Sequence, residues 1–504
     1  MDSLAHRQLS STCWRAASSL ERPMTTNSPA VGTTERPALR SGWLVLVLLA
    51  AAQFMVVLDA TIVNIALPAI EEDLGFAGSD LQWVINAYVL AFGGLLLLGG
   101  RLTDLFAGRT VFLAGLILFC IASLACGLAT SPGLLLAGRA AQGVGGALLS
   151  PAALALLTRA FTGSRRAVAL GVWGAISGVA GAVGVLLGGF LTDGPGWPWI
   201  FYINLFIGAA VLVGVLARVP HEAPRAETRL DLPGAALITA ALVALVLAVV
   251  RSEADGWTAP LVLGGFATSA VLLALFILVE RRVRQPLVPL DVFRLRNLAA
   301  GNAVNTLLGA VLLATFFLLT LYLQQVHGDS AREAGLAYLP LAAASLTASA
   351  ICSQLLPRTG LRLPLVTGML LLSGGMFWFS RLEPTSTYTP DFLVPSLLWG
   401  AGLGLAAVAA LSAATQDLGG EAESGLASGL VNTTLQVGGA VGLAVLSTLT
   451  FDRLTDRLAQ QNPYPVALLD GLTYALQIGA AIALAGAALA ALTVTNKRRP
   501  PADR

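Results

Sequence analysis

Between about residue 43 and residue 494 the chain is a succession of apolar runs, at about 43–68, 81–100, 110–129, 133–157, 167–191, 198–217, 233–250, 259–280, 298–323, 335–356, 362–380, 391–412, 425–449 and 472–494. Each is close to the roughly 17–25 residues that cross a hydrocarbon layer as a helix. In lipid, helices and closed barrels are the structures that satisfy every backbone polar group internally. The fourteen runs therefore predict an all-α polytopic membrane protein with fourteen transmembrane helices. Composition agrees, with 56% hydrophobic and only 12% charged residues against about 25% charged in soluble domains. The 53 glycines suit a medium in which helices associate through close packing of small residues.

An even number of spans puts both chain ends on one side, and basic residues say which side. With the N-terminus inside, tails and inner loops hold 24 of the 30 basic residues, the outer loops hold five, and Arg139 lies within a span. Arg165 and Arg166, the cluster Arg281, Arg282, Arg284, Arg294 and Arg296, and the tail Lys497-Arg498-Arg499 all fall inside. The loop QDLGGEAES (416–424) is acidic although placed inside. Residues 1–42, rich in Ser, Thr, Arg and Pro, predict a disordered cytoplasmic arm, and Met24 offers a second start. The charged connections 218–232 and 281–297 bracket two helices of little beyond Leu, Ala, Val and Ile. The expected division is thus an arm at 1–42, a six-helix bundle at 43–217, a linker with two extra transmembrane helices at 218–297, a second bundle at 298–494 and a cytoplasmic tail at 495–504. No strong repeat is visible between the two sixes.

Several chemistries are excluded. The chain has no G-x-x-x-x-G-K-S/T loop for nucleotide phosphates, no H-E-x-x-H and no G-x-S-x-G elbow. His6, His221 and His327 lack metal-ligand spacing. One tail cysteine, Cys13, and three in apolar runs, Cys120, Cys126 and Cys352, imply no disulfide framework. No enzyme, cofactor, metal or nucleic-acid partner is expected. Two charges stand clearly within spans, Asp59 and Arg139. A charge near the bilayer centre costs about 2.5–3.5 kcal/mol even on insertion scales, so each needs a reason. Helix 1 runs outward and helix 4 inward, which puts Asp59 about 15 Å and Arg139 about 9 Å below their outer ends at 1.5 Å per residue. A long arginine side chain can close that gap. The pair is either a static staple or a proton-exchanging device, in which burial and the guanidinium oppose each other on the carboxylate. Thr61 and Asn64 are placed in the same cavity, and Pro68 is expected to end helix 1.

Asp104, in GGRLTDLFAGRT, lies at the inner end of helix 2 with Arg101 and Arg109 nearby. Gly174, Gly178, Gly181, Gly184 and Gly188 recur at spacings of four and three along helix 5, giving one smooth face for close helix approach.

With these residues in view the chain resembles the major facilitator superfamily, specifically its fourteen-helix drug:proton antiporters. LDATIVNIALP (58–68) and LQWVINAYVLAFG (81–93) resemble its helix 1 and helix 2 signatures. RAAQGVGGA (139–147) matches R-x-x-Q-G-x-G-x-A of helix 4, GAVGVLLGGF (181–190) resembles the antiporter motif of helix 5, and NTTLQVGGAVG (432–442) resembles the second half's signature near helix 13. The resemblance implies two six-helix bundles around a central cavity with two inserted central helices, and alternating access driven by the proton gradient. Asp59 then carries the proton with Arg139 as partner. Gln142, Thr61, Asn64, Asn432 and Gln436 line the cavity, and Gly100, Asp104 and Arg109 belong to the gating loop. The helix 5 glycines, with Gly189, form the flexible interface between bundles.

The chain departs from the family pattern at Leu105, Ala107 and Gly108 in the gating loop, at Val185 in place of the antiporter proline, at Pro198 and Phe206 in WPWIFYINLFIG, and at Leu435. The expectation is a monomeric exporter of hydrophobic or amphipathic small molecules in a bacterial plasma membrane, exchanging them for protons. The alternatives are a narrow metabolite or self-resistance exporter and a transport-inactive relative acting as a sensor or interaction protein.

Overall fold

The computed structural model describes residues 42–496 except 78–79, 162, 220–230, 284–285, 287–289 and 416–420. The arm expected at 1–42 and the tail expected at 495–504 fall almost wholly outside the described residues, as does most of the first linker. Among the described residues there is no strand. The helices are α1 Gly42–Leu74, α2 Trp83–Leu105, α3 Gly108–Gly127, α4 Pro132–Ala160, α5 Gly163–Asp193, α6 Trp199–Arg218, α7 Leu232–Asp255, α8 Pro260–Glu280, α9 Arg296–Leu321, α10 Ala331–Ala337, α11 Leu339–Thr359, α12 Arg362–Phe379, α13 Val394–Thr415, α14 Glu421–Ala459 and α15 Tyr464–Thr493. Among the described residues eleven helical stretches are long and apolar enough to cross a membrane, with α10 and α11 forming one of them, and three shorter apolar stretches lie at Asp80–Leu96, Val183–Asp193 and Pro233–Val249. In chain order they match the fourteen runs of the sequence.

Local chemistry sets several boundaries. Ser131 accepts from Leu134 N at 3.5 Å and Pro132 opens α4, using the fixed φ of proline where no N–H is needed. Asp231 accepts from Gly234 N at 2.9 Å to start α7, and Ser330 with Glu333 closes a capping box on α10. Two boundaries differ from expectation. Pro68 does not end α1, which continues to Leu74; in membrane bundles neighbouring groups re-satisfy the backbone that a proline frees. The last two long helices extend well past their apolar cores, to Ala459 and from Tyr464. Asp470 clasps these extensions, accepting from Arg453 Nε at 2.7 Å and Arg457 Nε at 2.8 Å.

The packing divides the spans into α1–α6 and α9–α15, and the second set repeats the first. α1 packs on α4, α5 and α6 as α9 packs on α13, α14 and α15; α3 packs on α4 and α6 as α12 packs on α13 and α15; α2 meets α4 as α11 meets α13. The α7–α8 hairpin sits against α2 and α14, with Thr239 Oγ1 donating to Gly94 O at 2.9 Å. The register of the repeat is fixed by glycines. A Cβ on Gly184 or Gly188 meets the carbonyls of Leu58 (3.1 Å) and Ile62 (2.7 Å) on α1, while one on Gly438 or Gly442 runs into the backbone of Thr306 or Ala310 on α9. Leu58 thus corresponds to Thr306, and Leu307 stands where Asp59 stands in the first half.

The two halves touch toward the end of the bundle opposite the chain termini. There Gln324 Nε2 donates to Ile65 O at 2.9 Å, Gln325 Nε2 to Glu71 Oε2 at 2.9 Å, and Arg332 N to Asp193 Oδ2 at 2.8 Å. Gln324 and Gln325 project from a π-turn, Tyr322–Val326, that continues α9; such turns often mark functional positions in helices.

Candidate functional site: a buried ion pair inside the first half

Four helices of the first half converge on Asp59. The residue sits mid-way along α1 with no solvent exposure, and Arg139 on α4 is 1% exposed. Arg139 Nη1 lies 2.5 Å from Asp59 Oδ2, the contact that the sequence depths anticipate. Asp59 Oδ1 accepts from Gln142 Nε2 at 3.0 Å and from Asn204 Nδ2, on α6, at 2.8 Å. Three donors on one carboxyl group form the environment of an ionised carboxylate, which accepts and does not donate. Ser123 on α3 ties the two amides together, accepting from Gln142 Nε2 at 2.7 Å and Asn204 Nδ2 at 3.4 Å.

Arg139 has partners of its own. Its Nη1 also donates to Gln142 Oε1 at 2.9 Å and its Nε to Val84 O, on α2, at 3.0 Å. The guanidinium lies 4.4 Å from the centre of the Tyr88 ring, a cation–π contact strengthened by the burial of both side chains. Taking two charges out of water costs several kcal/mol per ion unless every lone pair and proton is satisfied. Here both charges are heavily hydrogen-bonded, so the pair is stable as a unit and expensive to break. Replacing Asn204 by leucine, which has the same branched heavy-atom skeleton and no donor, is expected to cost about 1.5–3 kcal/mol, the worth of a hydrogen bond to a charged group, read as a lower thermal midpoint of the detergent-solubilised protein.

Thr61 Oγ1 donates to Val57 O and Leu58 O within its own helix, and Asn64 Nδ2 to Ala60 O and Thr61 O; neither joins the Asp59 cluster. Asn432 is exposed, and Gln436 is half-buried where α14 meets α2, its Cβ 2.8 Å from where one on Gly93 would sit. Gly100 lies near Pro151, with 4.0 Å from a built Cβ to that ring. Asp104 is on the last turn of α2, its side chain outside the described residues, and Arg109 Nη2 donates to Leu216 O at 3.2 Å. Gly174 and Gly178 lie on α5 at positions whose surroundings are outside the described residues. Among the described residues nothing lies within 4 Å of a Cβ on Gly181; Gly184 and Gly188 face α1, and Gly189 faces Ala331 O of the second half, 2.5 Å from a built Cβ. Sequence reasoning missed Ser123, Asn204, Tyr88 and the Val84 carbonyl. Asn204 sits within the WPWIFYINLFIG segment, where the only signal was an amide in an otherwise apolar run.

The chain matches the family model of the Major Facilitator Superfamily over residues 49–443. It is 41% identical to a puromycin resistance protein of Streptomyces alboniger, covering 88% of each chain. It is 42% identical to a cephamycin export protein of Amycolatopsis lactamdurans over 80% of this chain and 84% of that one. A lincomycin resistance protein of Streptomyces lincolnensis is 38% identical, with 92% and 94% covered. Among solved structures the fold is similar to a bacterial homologue of the lysosomal transporter Spinster (TM-score 0.63, 17% identity, 90% and 97% covered) and to the POT family transporter PepTSo (TM-score 0.64, 14% identity, 89% and 97% covered). A fourteen-span all-helical chain built as two repeated halves, matched over most of its length by resistance and export proteins, belongs to the major facilitator superfamily, in its drug-exporter branch.

Proposed function

We propose that the protein is a proton-coupled exporter of small hydrophobic or amphipathic compounds of the antibiotic type, with Asp59 as the proton site. The observation that carries the proposal is the Asp59 cluster itself, a carboxylate without solvent exposure at membrane depth in a half whose counterpart offers Leu307. An intramembrane acid of this kind marks an ion or proton pathway more often than a structural feature. Arg139 keeps Gln142, Val84 and Tyr88 as partners when Asp59 takes up a proton, so neutralising the acid does not strand the cation. That is what a reversible proton site requires of its counter-ion.

With the termini on the cytoplasmic side, as the basic residues indicate, the contacts between halves close the outer end. Asp59, paired as a carboxylate, has then given up its proton toward the inside. Binding of substrate, reopening toward the outside and reloading of Asp59 complete an exchange of proton for compound. Bacterial plasma-membrane location, action as a monomer and independence from cofactors other than the proton gradient belong to the same reading.

The test is transport in proteoliposomes with an imposed pH gradient, using puromycin, lincomycin and ethidium as probes. The wild type is expected to move at least one of them against its gradient, and Asp59→Asn to lose coupled transport by a hundredfold or more. An Asp59→Asn variant that accumulates the probe as the wild type does removes Asp59 from the mechanism. Narrow specificity is the second reading, favoured because three relatives are named for a single compound each. Resistance to one probe class in a growth panel, without protection against unrelated compounds, decides for it.

A further inference from the structure

Every direct partner of Asp59 described above lies in its own half, so a rigid swing of the other half leaves the carboxylate untouched. Coupling needs an element that feels both. Helix α2 has two such faces. On one, the Val84 carbonyl and the Tyr88 ring hold Arg139. On the other, Gln82, in the 3-10 turn Asp80–Gln82 that opens the helix, accepts from Ser447 Oγ on α14 of the second half at 2.5 Å. Asn86, one turn on, and Gly93, two turns beyond it, continue this second face, and Gly93 meets Gln436 of α14.

We infer that the first turns of α2 couple movement of the second half to the Asp59–Arg139 pair, with Gln82 as the positioning residue and Ser447 as its partner across the seam. Gln82, Asn86 and Ser447 have no solvent exposure. Among the described residues, Gln82 Nε2 and both polar atoms of Asn86 meet no hydrogen-bond partner. Buried polar groups without partners destabilise the arrangement that buries them, so the seam is poised to part and let water reach these amides. When α14 withdraws, Ser447 leaves Gln82 and the opening turn of α2 loses its tether. The Val84 carbonyl, two residues on, is the group that holds the Arg139 Nε and thereby aims Nη1 at Asp59. A looser Arg139 favours the protonated acid, so opening of the seam at this end promotes proton uptake there.

This inference rests on Asp59 as the proton site. The titratable and charged groups that face Asp59 are Arg139 on α4, the Tyr88 phenol on α2 and the Cys126 thiol on α3. The other charged groups on α5, α6 and α9, such as Asp193, Arg218 and Arg296, lie at helix ends.

The experiment follows the pH dependence of thermal unfolding of the purified full-length protein in detergent, which needs no ligand. Comparison with Asp59→Asn identifies the step that belongs to Asp59. Ser447→Ala and Gln82→Leu are each expected to move that step upward by about half a pH unit, about threefold in proton affinity. The double variant should move it no further than either single one, because the two side chains form one contact. A purely structural seam predicts a lower melting temperature at every pH with the step unmoved, and that result overturns the inference. If Gln82→Leu does not fold, Ser447→Ala, which removes a single hydroxyl, decides alone. If wild type and Asp59→Asn show the same profile, the proton-site reading itself fails and takes this inference with it.

Discussion

Arg139→Leu is expected to lower the stability of the protein by about 3–5 kcal/mol, the cost of leaving one member of a buried pair without its counter-charge. The variant should be recovered poorly from membranes and melt far below the wild type. The double variant Asp59→Asn/Arg139→Leu should regain most of that loss. Asparagine at position 59 still offers a carbonyl oxygen to Gln142 Nε2 and Asn204 Nδ2, which now meet Asp59 Oδ1 at 3.0 and 2.8 Å, and no charge remains to be balanced. Removing both members of a buried pair is often nearly neutral, whereas removing one is not. The interaction free energy from the cycle of two single variants and the double is therefore expected to be about 2 kcal/mol or more, at the upper part of the range for contacting residues. Fluorescence-detected unfolding of the four proteins in one detergent measures it. An Arg139→Leu protein as stable as the wild type means that Asp59 carries no buried charge in the fold. On the proposed mechanism the double variant separates stability from function: it is expected to fold yet to fail in proton-driven transport.

How far the sequence reveals this site depends on the kind of residue. Asp59 and Arg139 are legible because a charge inside an apolar run is rare, and helix direction with 1.5 Å per residue brings their depths together. Gln142 is legible only through the helix 4 pattern it shares with a known family. Asn204 and Ser123 leave almost no trace, since an uncharged polar side chain barely changes the hydropathy of a span. Their importance comes from a convergence of α3 and α6 on α1 that only tertiary packing creates. The spans themselves were clear in the sequence, but their ends were not. α14 reaches Ala459 because Asp470 bridges Arg453 and Arg457 across a hairpin, a contact outside the apolar core that hydropathy does not register. Pro68 misleads for a related reason: the rule that proline ends a helix assumes water is available to take over the freed carbonyl, and in a packed membrane bundle the helix continues. The repeat between the halves is invisible by eye because it is conserved as small residues at close approaches, Gly184 and Gly188 against Gly438 and Gly442, while their surroundings differ.

Those close approaches carry the second large effect, because the atom that an added methyl meets decides its cost. A Cβ at Gly438 falls on the backbone carbonyl of Thr306, one at Gly184 falls on the Thr61 hydroxyl with Leu58 O 3.1 Å away, and one at Gly181 meets nothing within 4 Å among the described residues. A hydroxyl can rotate aside, whereas a helix carbonyl moves only if the whole helix moves. Gly438→Ala must therefore push α14 away from α9 along their length. Its cost should reach or exceed the upper end of the about 1–3 kcal/mol usual for overpacking. Gly184→Ala should fall near the lower end of that range. Gly181→Ala should be neutral or stabilising by up to about 1 kcal/mol, because alanine is the better helix former and no contact opposes it. The three variants share one chemistry, so their thermal midpoints compare packing alone. The order Gly438→Ala lowest, Gly184→Ala intermediate and Gly181→Ala highest is expected. If Gly438→Ala melts with Gly181→Ala, α9 and α14 do not touch backbone to backbone, and the register that places Leu307 opposite Asp59 falls with that contact.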